Sequence, residues 1–439
     1  MQPVTLNFWR VWDDTSDFSE IINAYTTLHP NVKINYRKFR YEEYEDALLT
    51  AFADNKGPDI FSIHNTWVKK YQDYIQPMPA TITLPYTTLE GTIQKQEVVK
   101  LQTKPTLTLR DLKNYFVDTV YSDVVFTTPP KTANALPVDQ IYGLPLSVDT
   151  LAMYYNRDLL NNAGIVDPPK NWTEFQQDVT KITKLDQQGN ILLSAAAIGT
   201  GGNISRSTDI LTLLMMQNGA QMSGASGYPT FNIIPDDQAG RTVAPADEAL
   251  KFYTDFASPV KEVYTWNDEM PNSIDAFASG QVAFMFGYSY HREQIESIAP
   301  KLNYKIAPIP QIEGNPQANF ANYWVETVSN RSKNLNEAWD FTTFAASKDQ
   351  VGSYLNKTKK PTALRSLIDT QNLDEDISPF SSQILTAKTW YKGEDPNAME
   401  EAFKSMIDSV VSGALSVRDA IEIGNNKVRQ TITVRKAYE

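Results

Sequence analysis

The sequence predicts an α/β protein built from at least two compact lobes, and three observations predict it. The chain has 439 residues, about two to three times the usual size of one domain. Its opening stretch alternates strand-like and helix-like apolar runs, the pattern of a parallel sheet. Strand-like runs then return far downstream, at Val282 to Phe286 and Tyr323 to Val328, so sheet-forming segments are spread over most of the length.

The elements follow in order. Thr5 to Val11 reads as a strand, with Leu6, Phe8 and Val11 among polar neighbours. Asp13 to Ser16 supplies turn and cap residues, and Phe18, Ile21, Ile22, Tyr25 and Leu28 then recur at helical spacing until His29-Pro30 ends the run. Val32, Ile34 and Tyr36 alternate as a second strand. Tyr41, Tyr44, Leu48 and Phe52 mark a second helix, which Gly57-Pro58 breaks before the short apolar strand Ile60 to Ile63. This is βαβαβ, which implies right-handed crossovers and a ligand site beyond the carboxyl ends of the strands.

From about 80 to 136 the pattern dissolves into Thr, Lys, Pro and Gln with short apolar pieces, read as an insertion or peripheral subdomain. Order returns at Tyr142 to Asp149 and in the apolar run Leu151 to Tyr155. Asn171-Trp-Thr-Glu174 has the spacing of a capping box. A glycine-rich turn, Gly199 to Asn203, precedes a helix over Thr208 to Gln217. Gly280 stops another helix before the strand Val282 to Phe286. The strand-like Tyr323 to Val328 leads to a helix over Asn336 to Ala346. Met399, Phe403, Met406, Ile407 and Val410 line a C-terminal helix that Gly413 stops, and Ser416 with Asp419 starts the last one.

Composition excludes several classes of function. Hydrophobic residues make up 41% and charged residues 21%, ordinary globular usage rather than the signature of disorder. The net charge of −12 is spread through the chain without a basic block, which argues against nucleic acid and against an anionic membrane surface. With no cysteine and only His29, His64 and His291, thiolate metal sites, disulfides and cysteine nucleophiles are excluded, and no metal or other cofactor is expected. No run reaches the roughly 20 apolar residues of a membrane span. No signal peptide is visible, which fits either a cytoplasmic protein or, as the favoured expectation, a mature form from which an export segment has been removed.

Four segments resemble a known family. They are Leu6-Asn-Phe-Trp9; Gly57-Pro-Asp-Ile60; Gly143-Leu-Pro-Leu-Ser-Val-Asp-Thr150 running into Tyr154-Tyr-Asn-Arg-Asp-Leu159; and Phe277-Ala-Ser-Gly-Gln-Val-Ala-Phe-Met-Phe-Gly287. In this order and spacing they resemble the extracellular solute-binding proteins of bacterial ABC importers, in the sugar-type group that includes maltose-binding protein. The chain departs from the group in the insertion and at Asn322-Tyr-Trp324, where many members have paired glycines.

The resemblance implies a two-lobed periplasmic-binding-protein fold of type II, each lobe a mostly parallel sheet flanked by helices, joined by hinge strands. The expected lobes are 1–147 plus 307–346, carrying the insertion, and 148–306 plus 347–439. It also implies an extracytoplasmic monomer, with lipid anchoring of the native precursor left open. Such a protein closes on a small polar solute, most simply a saccharide, delivers it to the transmembrane subunits of an ABC permease and catalyses nothing.

A saccharide offers hydroxyls and apolar C–H faces, so its site needs carboxylates, amides and flat aromatic rings. Trp9, Trp12 and Asp13 follow the first strand and are read either as core and cap or as ligand contacts. Period-two alternation puts the two tryptophans on opposite faces, so at most one lines the site as a strand residue. His64, Asn65 and Trp67 follow the third strand, where Asn65 could equally cap a helix. Ser147 and Asp149 lie at the expected hinge, and Asp149 falls where the resemblance places an acidic sugar ligand. The resemblance also turns Tyr288, Tyr290, Tyr323, Trp324 and Glu326 toward the cleft. Trp390 and Asn203 complete the candidates; Asn203 is read as a ligand amide or a helix cap.

Other readings stay open. A glycoside hydrolase needs two carboxylates, but among 52 acidic residues some pair is always available, and no nucleophile elbow, phosphate loop or zinc-protease motif is present. The same fold binding a peptide, polyamine or nucleoside, or serving as a surface adhesin, fits the composition as well.

Overall fold

The structure, a computed structural model, describes residues 1–91, 96–128 and 136–433. The chain divides into two compact units. The first comprises Met1–Val148 and Asn322–Thr370; the second comprises Asp149–Ala321 and Gln371–Glu439.

In the first unit, strand β1 (Val4–Arg10) lies between β2 (Val32–Lys38) and β3 (Ile60–His64), parallel to both. Helices α1 (Thr15–Leu28) and α2 (Tyr41–Ala53) make the connections, giving the βαβαβ unit read from the sequence. α1 forms where Phe18, Ile21 and Tyr25 share one buried face. At its start the Asp14 N–H donates to the Asp17 carboxylate at 2.8 Å, satisfying a donor that the first turn leaves without a partner. It stops at His29, one residue before Pro30, which cannot continue a helix. Phe8 on β1 meets Phe18 and Phe341 edge-on at 5.5 and 5.8 Å, so the sheet is covered by aromatic packing.

The strand Trp324–Val328 joins this sheet antiparallel to β3, with Trp324 opposite His64. Leu144 exchanges two 3.0 Å backbone bonds with Glu326 of that strand. A Cβ on Gly143 would sit 2.5 Å from Val325 Cγ1, so the glycine that opens the third resemblance segment is required by this close approach. The expected insertion consists of the hairpin Thr81–Glu90 with Gln96–Pro105, the helices Leu109–Tyr115 and Asp118–Val124, and the hairpin Val125–Thr128 with Val138–Ile141. Its residues 92–95 and 129–135 lie outside the described residues.

The sheet of the second unit runs in the order Lys184–Leu185, Ile191–Ala196, Val282–Gly287, Ala152–Asn156, Tyr304–Pro308. Only the pairing of Ile191–Ala196 with Val282–Gly287 is parallel. The expectation of mostly parallel sheets is therefore corrected for this unit. Ala152–Asn156 runs opposite to both its neighbours, and an apolar run buried on both faces reads the same whichever way it points. Met153, Tyr154, Trp172, Phe175, Trp266 and Phe284 fill the core.

The unit boundaries differ from the expected ones at the later crossings. Residues 307–321 belong to the second unit because Tyr304–Pro308 pairs with Ala152–Asn156 and Asn319–Asn322 pairs with Ala387–Lys388. Residues 347–370 belong to the first because the helix Lys348–Thr358 packs on α1, burying Tyr354 at 5.4 Å from Phe18. Among the described residues no helix is long and apolar enough to cross a membrane.

Candidate functional site

Each unit carries a cluster at the ends of its strands. In the first, the chain leaves β1 at Arg10 and turns, which leaves Trp12 on a loop with 55% of its surface exposed. Its indole stacks on Tyr41 at 5.5 Å and 19° and meets Trp324 edge-on at 6.4 Å. Trp324 is half-buried and also takes the edges or faces of Tyr41, Tyr44, His64 and Trp67, at 6.3, 6.2, 6.0 and 5.9 Å. Trp12 and Tyr41 thus form an exposed aromatic wall with Trp324 behind it. Flat C–H faces pack on such a wall.

His64 stands behind the wall with both ring nitrogens engaged, Nδ1 by Thr66 Oγ1 at 2.8 Å and Nε2 by Asn322 Oδ1 at 3.3 Å. Trp67 is buried and stacks on Tyr71. Trp9 faces elsewhere, tilted on Phe39 at 4.6 Å with the Arg37 guanidinium 5.4 Å above it. Trp9 is thus the strand residue of the two and lies away from the wall, while Trp12 belongs to the wall from the loop after β1.

Beneath the wall lies a buried set of charges. Glu326 shares a strand face with Trp324, and its carboxylate sits 2.9 Å from Arg10 Nη1. Arg10 donates to Asp13 at 2.7 Å, and Lys360 also donates to Asp13. Burial pushes the Glu326 carboxyl up to about 7, against the nearby Arg10 charge. Asp13 is equally buried, but Lys360 and Arg10 outweigh that burial and hold its carboxyl below the usual range. Asp13 and Glu326, expected as ligand contacts, are therefore turned onto internal cations and are 4% and 2% exposed.

Three more candidates in this unit are structural. Strand alternation turns Tyr323 away from Trp324 and into the core, where its hydroxyl donates to Asp123 at 2.6 Å. Asn65 Nδ2 donates to the same carboxylate at 3.2 Å. Ser147 bridges through its backbone to Thr362.

In the second unit, Val282–Gly287 ends at Tyr288 and Tyr290. Tyr288 is fully buried and donates to Asp209 at 2.6 Å. Tyr290 is 41% exposed and stacks on Tyr288 at 5.8 Å and 17°. His291 accepts from the Tyr288 N–H at 2.9 Å, and burial pushes its imidazole down to about 4, so it is neutral at physiological pH. Asp209 also holds both arms of the Arg206 guanidinium, at 2.9 and 2.8 Å, and Arg206 reaches Glu400 at 3.2 Å. Arg206 has φ +59°, a left-handed conformation that costs a non-glycine residue energy and tends to persist at functional sites. Arg206 and Glu400 remain 25% and 28% exposed. Tyr290, Arg206 and Glu400 together offer one ring face with donors and acceptors for hydroxyl groups.

The remaining candidates in this unit are corrected by their surroundings. Asp149 accepts from the Ser289 N–H and hydroxyl at 2.9 and 2.6 Å, fixing the turn before Tyr290. Asn203 is half-buried and does not cap the helix; it accepts from Trp266 Nε1 at 3.0 Å and donates to two backbone carbonyls at 2.9 Å. Trp390 is 6% exposed between Phe231 and Phe403, a core residue whose sequence context carries no sign of its depth.

Sequence reasoning missed Tyr41, Arg10, Lys360, Arg206 and Glu400. Tyr41 precedes Tyr44 by three residues and so reads as part of the buried stripe, yet as the first residue of α2 it projects past the core. Arg206 and Asp209 have the spacing of a helix-surface ion pair, which was the available signal.

A family model described as bacterial extracellular solute-binding protein matches residues 20–378. A putative binding protein of Brucella abortus is 24% identical over 92% of this chain and 89% of its own. The maltodextrin-binding protein MdxE of Bacillus subtilis is 26% identical over 67% of each chain. Among solved structures, the sugar-binding protein MalE of Xanthomonas citri superposes with a TM-score of 0.72, covering 97% of both chains at 18% identity.

Proposed function

Because the chain belongs to the family of bacterial extracellular solute-binding proteins, we propose that it is the capture subunit of an ABC importer and that its ligand is a saccharide. The exposed wall of Trp12 and Tyr41 against Trp324 carries this reading. Such a wall suits the C–H face of a sugar ring, and the second unit has in Tyr290, Arg206 and Glu400 groups of its own that suit sugar hydroxyls. The charges beneath the wall are paired with one another, which favours a neutral ligand. The maltodextrin-binding and sugar-binding relatives support the same class. In this reading the protein works outside the cytoplasm as a monomer, hands its ligand to the permease and performs no chemistry on it.

A thermal-shift screen of mono- and oligosaccharides, polyols, peptides and polyamines tests the ligand class. A ligand at about 100 times its Kd adds roughly 2.7 kcal/mol, a shift of a few degrees. Stabilisation by a saccharide, insensitive to salt, is the expected result. A flat saccharide panel with a shift for a polyamine or peptide overturns it. Hinge closure, implied by the resemblance, has its own test: the radius of gyration falls on saturation with ligand, and an unchanged radius removes that mechanism.

A further inference from the structure

We propose that Asp13 and Lys360 are positioning residues for the aromatic wall, fixing the Trp12 ring to the backbone segment through which the chain leaves the first unit. Trp12 is mostly exposed, and the ring contacts described above are to Tyr41 and Trp324, so something else must hold its loop. The next residue does so. The Asp13 carboxylate accepts from Arg10 at 2.7 Å, from the Tyr354 hydroxyl at 3.1 Å and from Lys360. Its carbonyl accepts from the Tyr36 hydroxyl at 2.6 Å. Four separate parts of the unit therefore converge on one residue beside the wall.

Lys360 is the informative member. It follows Lys359, whose φ of +54° ends the helix Lys348–Thr358, and it also contacts the Tyr354 hydroxyl at 3.1 Å. Immediately after it, the Pro361 carbonyl accepts from the Val148 N–H at 3.3 Å, and Thr362 bridges to Ser147. Val148 is the last residue of the unit before the chain departs. The ion pair thus connects the loop carrying Trp12 to this departure segment through one side chain. An exposed pair would contribute little to such a link, but here Asp13 is buried and Lys360 half-buried, so the pair is partly screened from water and its charge pairing strengthened.

The effect on affinity rests on the saccharide reading; the effect on ring position does not. The full chain labelled with 5-fluorotryptophan, without ligand, reports the ring directly by fluorine NMR. The Trp12 and Trp324 lines are assigned by their loss in Trp12→Phe and Trp324→Phe. In Lys360→Met, and in Asp13→Asn should that variant fold poorly, the Trp12 line is expected to shift or broaden. The lines of buried Trp266 and Trp339 stay in place, and Lys360→Arg keeps the wild-type Trp12 line. An unchanged Trp12 line in a folded Lys360→Met overturns the proposal, whatever the affinity does.

Calorimetry with maltotetraose supplies the functional arm. Lys360→Met is expected to weaken binding about tenfold in the parent and not at all in a Trp12→Ala background, because the lysine acts through that ring. Equal weakening in both backgrounds overturns the proposal. Failure of the parent chain to bind any saccharide removes the ligand reading instead, and leaves the fluorine result to decide on the positioning role.

Discussion

The two strand-end clusters are built in opposite ways. In the first unit the surface is aromatic and the charges are hidden below it, paired with each other. In the second, one tyrosine ring is exposed and the charged groups, Arg206 and Glu400, stand at the surface beside it. In the saccharide reading proposed above, the difference makes stacking and hydroxyl recognition separable. Substitutions in the first unit remove contact area, whereas those in the second remove direction.

The largest break in the comparison is Trp324→Ala. Because Trp324 lies at the centre of a nest of rings, both stability and binding depend on it. Unfolding free energy should fall by about 2–4 kcal/mol and saccharide affinity by roughly a hundredfold, measured by denaturant unfolding and calorimetry. Affinity lost with no loss of stability would show that the nest is only a surface.

Next is the pH response of the hidden charges. The folded state holds the Glu326 carboxyl near 7 rather than 4.5, so it keeps its proton where the unfolded chain has lost it. Its contribution to stability is full below 4.5 and disappears as pH rises through 7. Glu326→Gln should therefore gain a few degrees of Tm over the parent at pH 8 and little at pH 4. A difference independent of pH would contradict the assignment.

Trp12→Ala separates the wall from the nest. Exposed as it is, the residue should change Tm by no more than about one degree while binding weakens about tenfold. The smallest effect is in the second unit. Arg206→Gly and Arg206→Ala should weaken saccharide binding alike, but the glycine variant should be more stable by about 1 kcal/mol, because only glycine adopts φ +59° without strain. Equal stability would mean the backbone relaxes there.

Much of this was legible in the sequence where the signal was local. The βαβαβ opening follows from short-range periodicity and from Gly57-Pro58 and His29-Pro30 as stops. Trp12 and Trp324 were found because they follow or interrupt strands. What stayed hidden depends on contacts distant in sequence or on backbone angles. Nothing near Asp13 announces Lys360, and nothing near Arg10 announces its second partner, Glu326. The depth of Trp390 depends on Phe231 and Phe403, and the strain at Arg206 is invisible without φ. The direction of Ala152–Asn156 depends on where the chain comes from, which composition does not record.

The strand Trp324–Val328 has a consequence for how the molecule is born. Ser62 and Glu326, neighbours in the sheet, are 264 residues apart. A chain synthesised from its N-terminus makes β1, β2 and β3 early, yet β3 keeps an unpaired edge until the fourth strand has been made. Open edges of this kind favour mispairing, and closure over so long a loop is slow. The first unit therefore remains unfinished while the whole sheet of the second is being synthesised. The aromatic nest, with Trp324 at its centre, is among the last features of its unit to form.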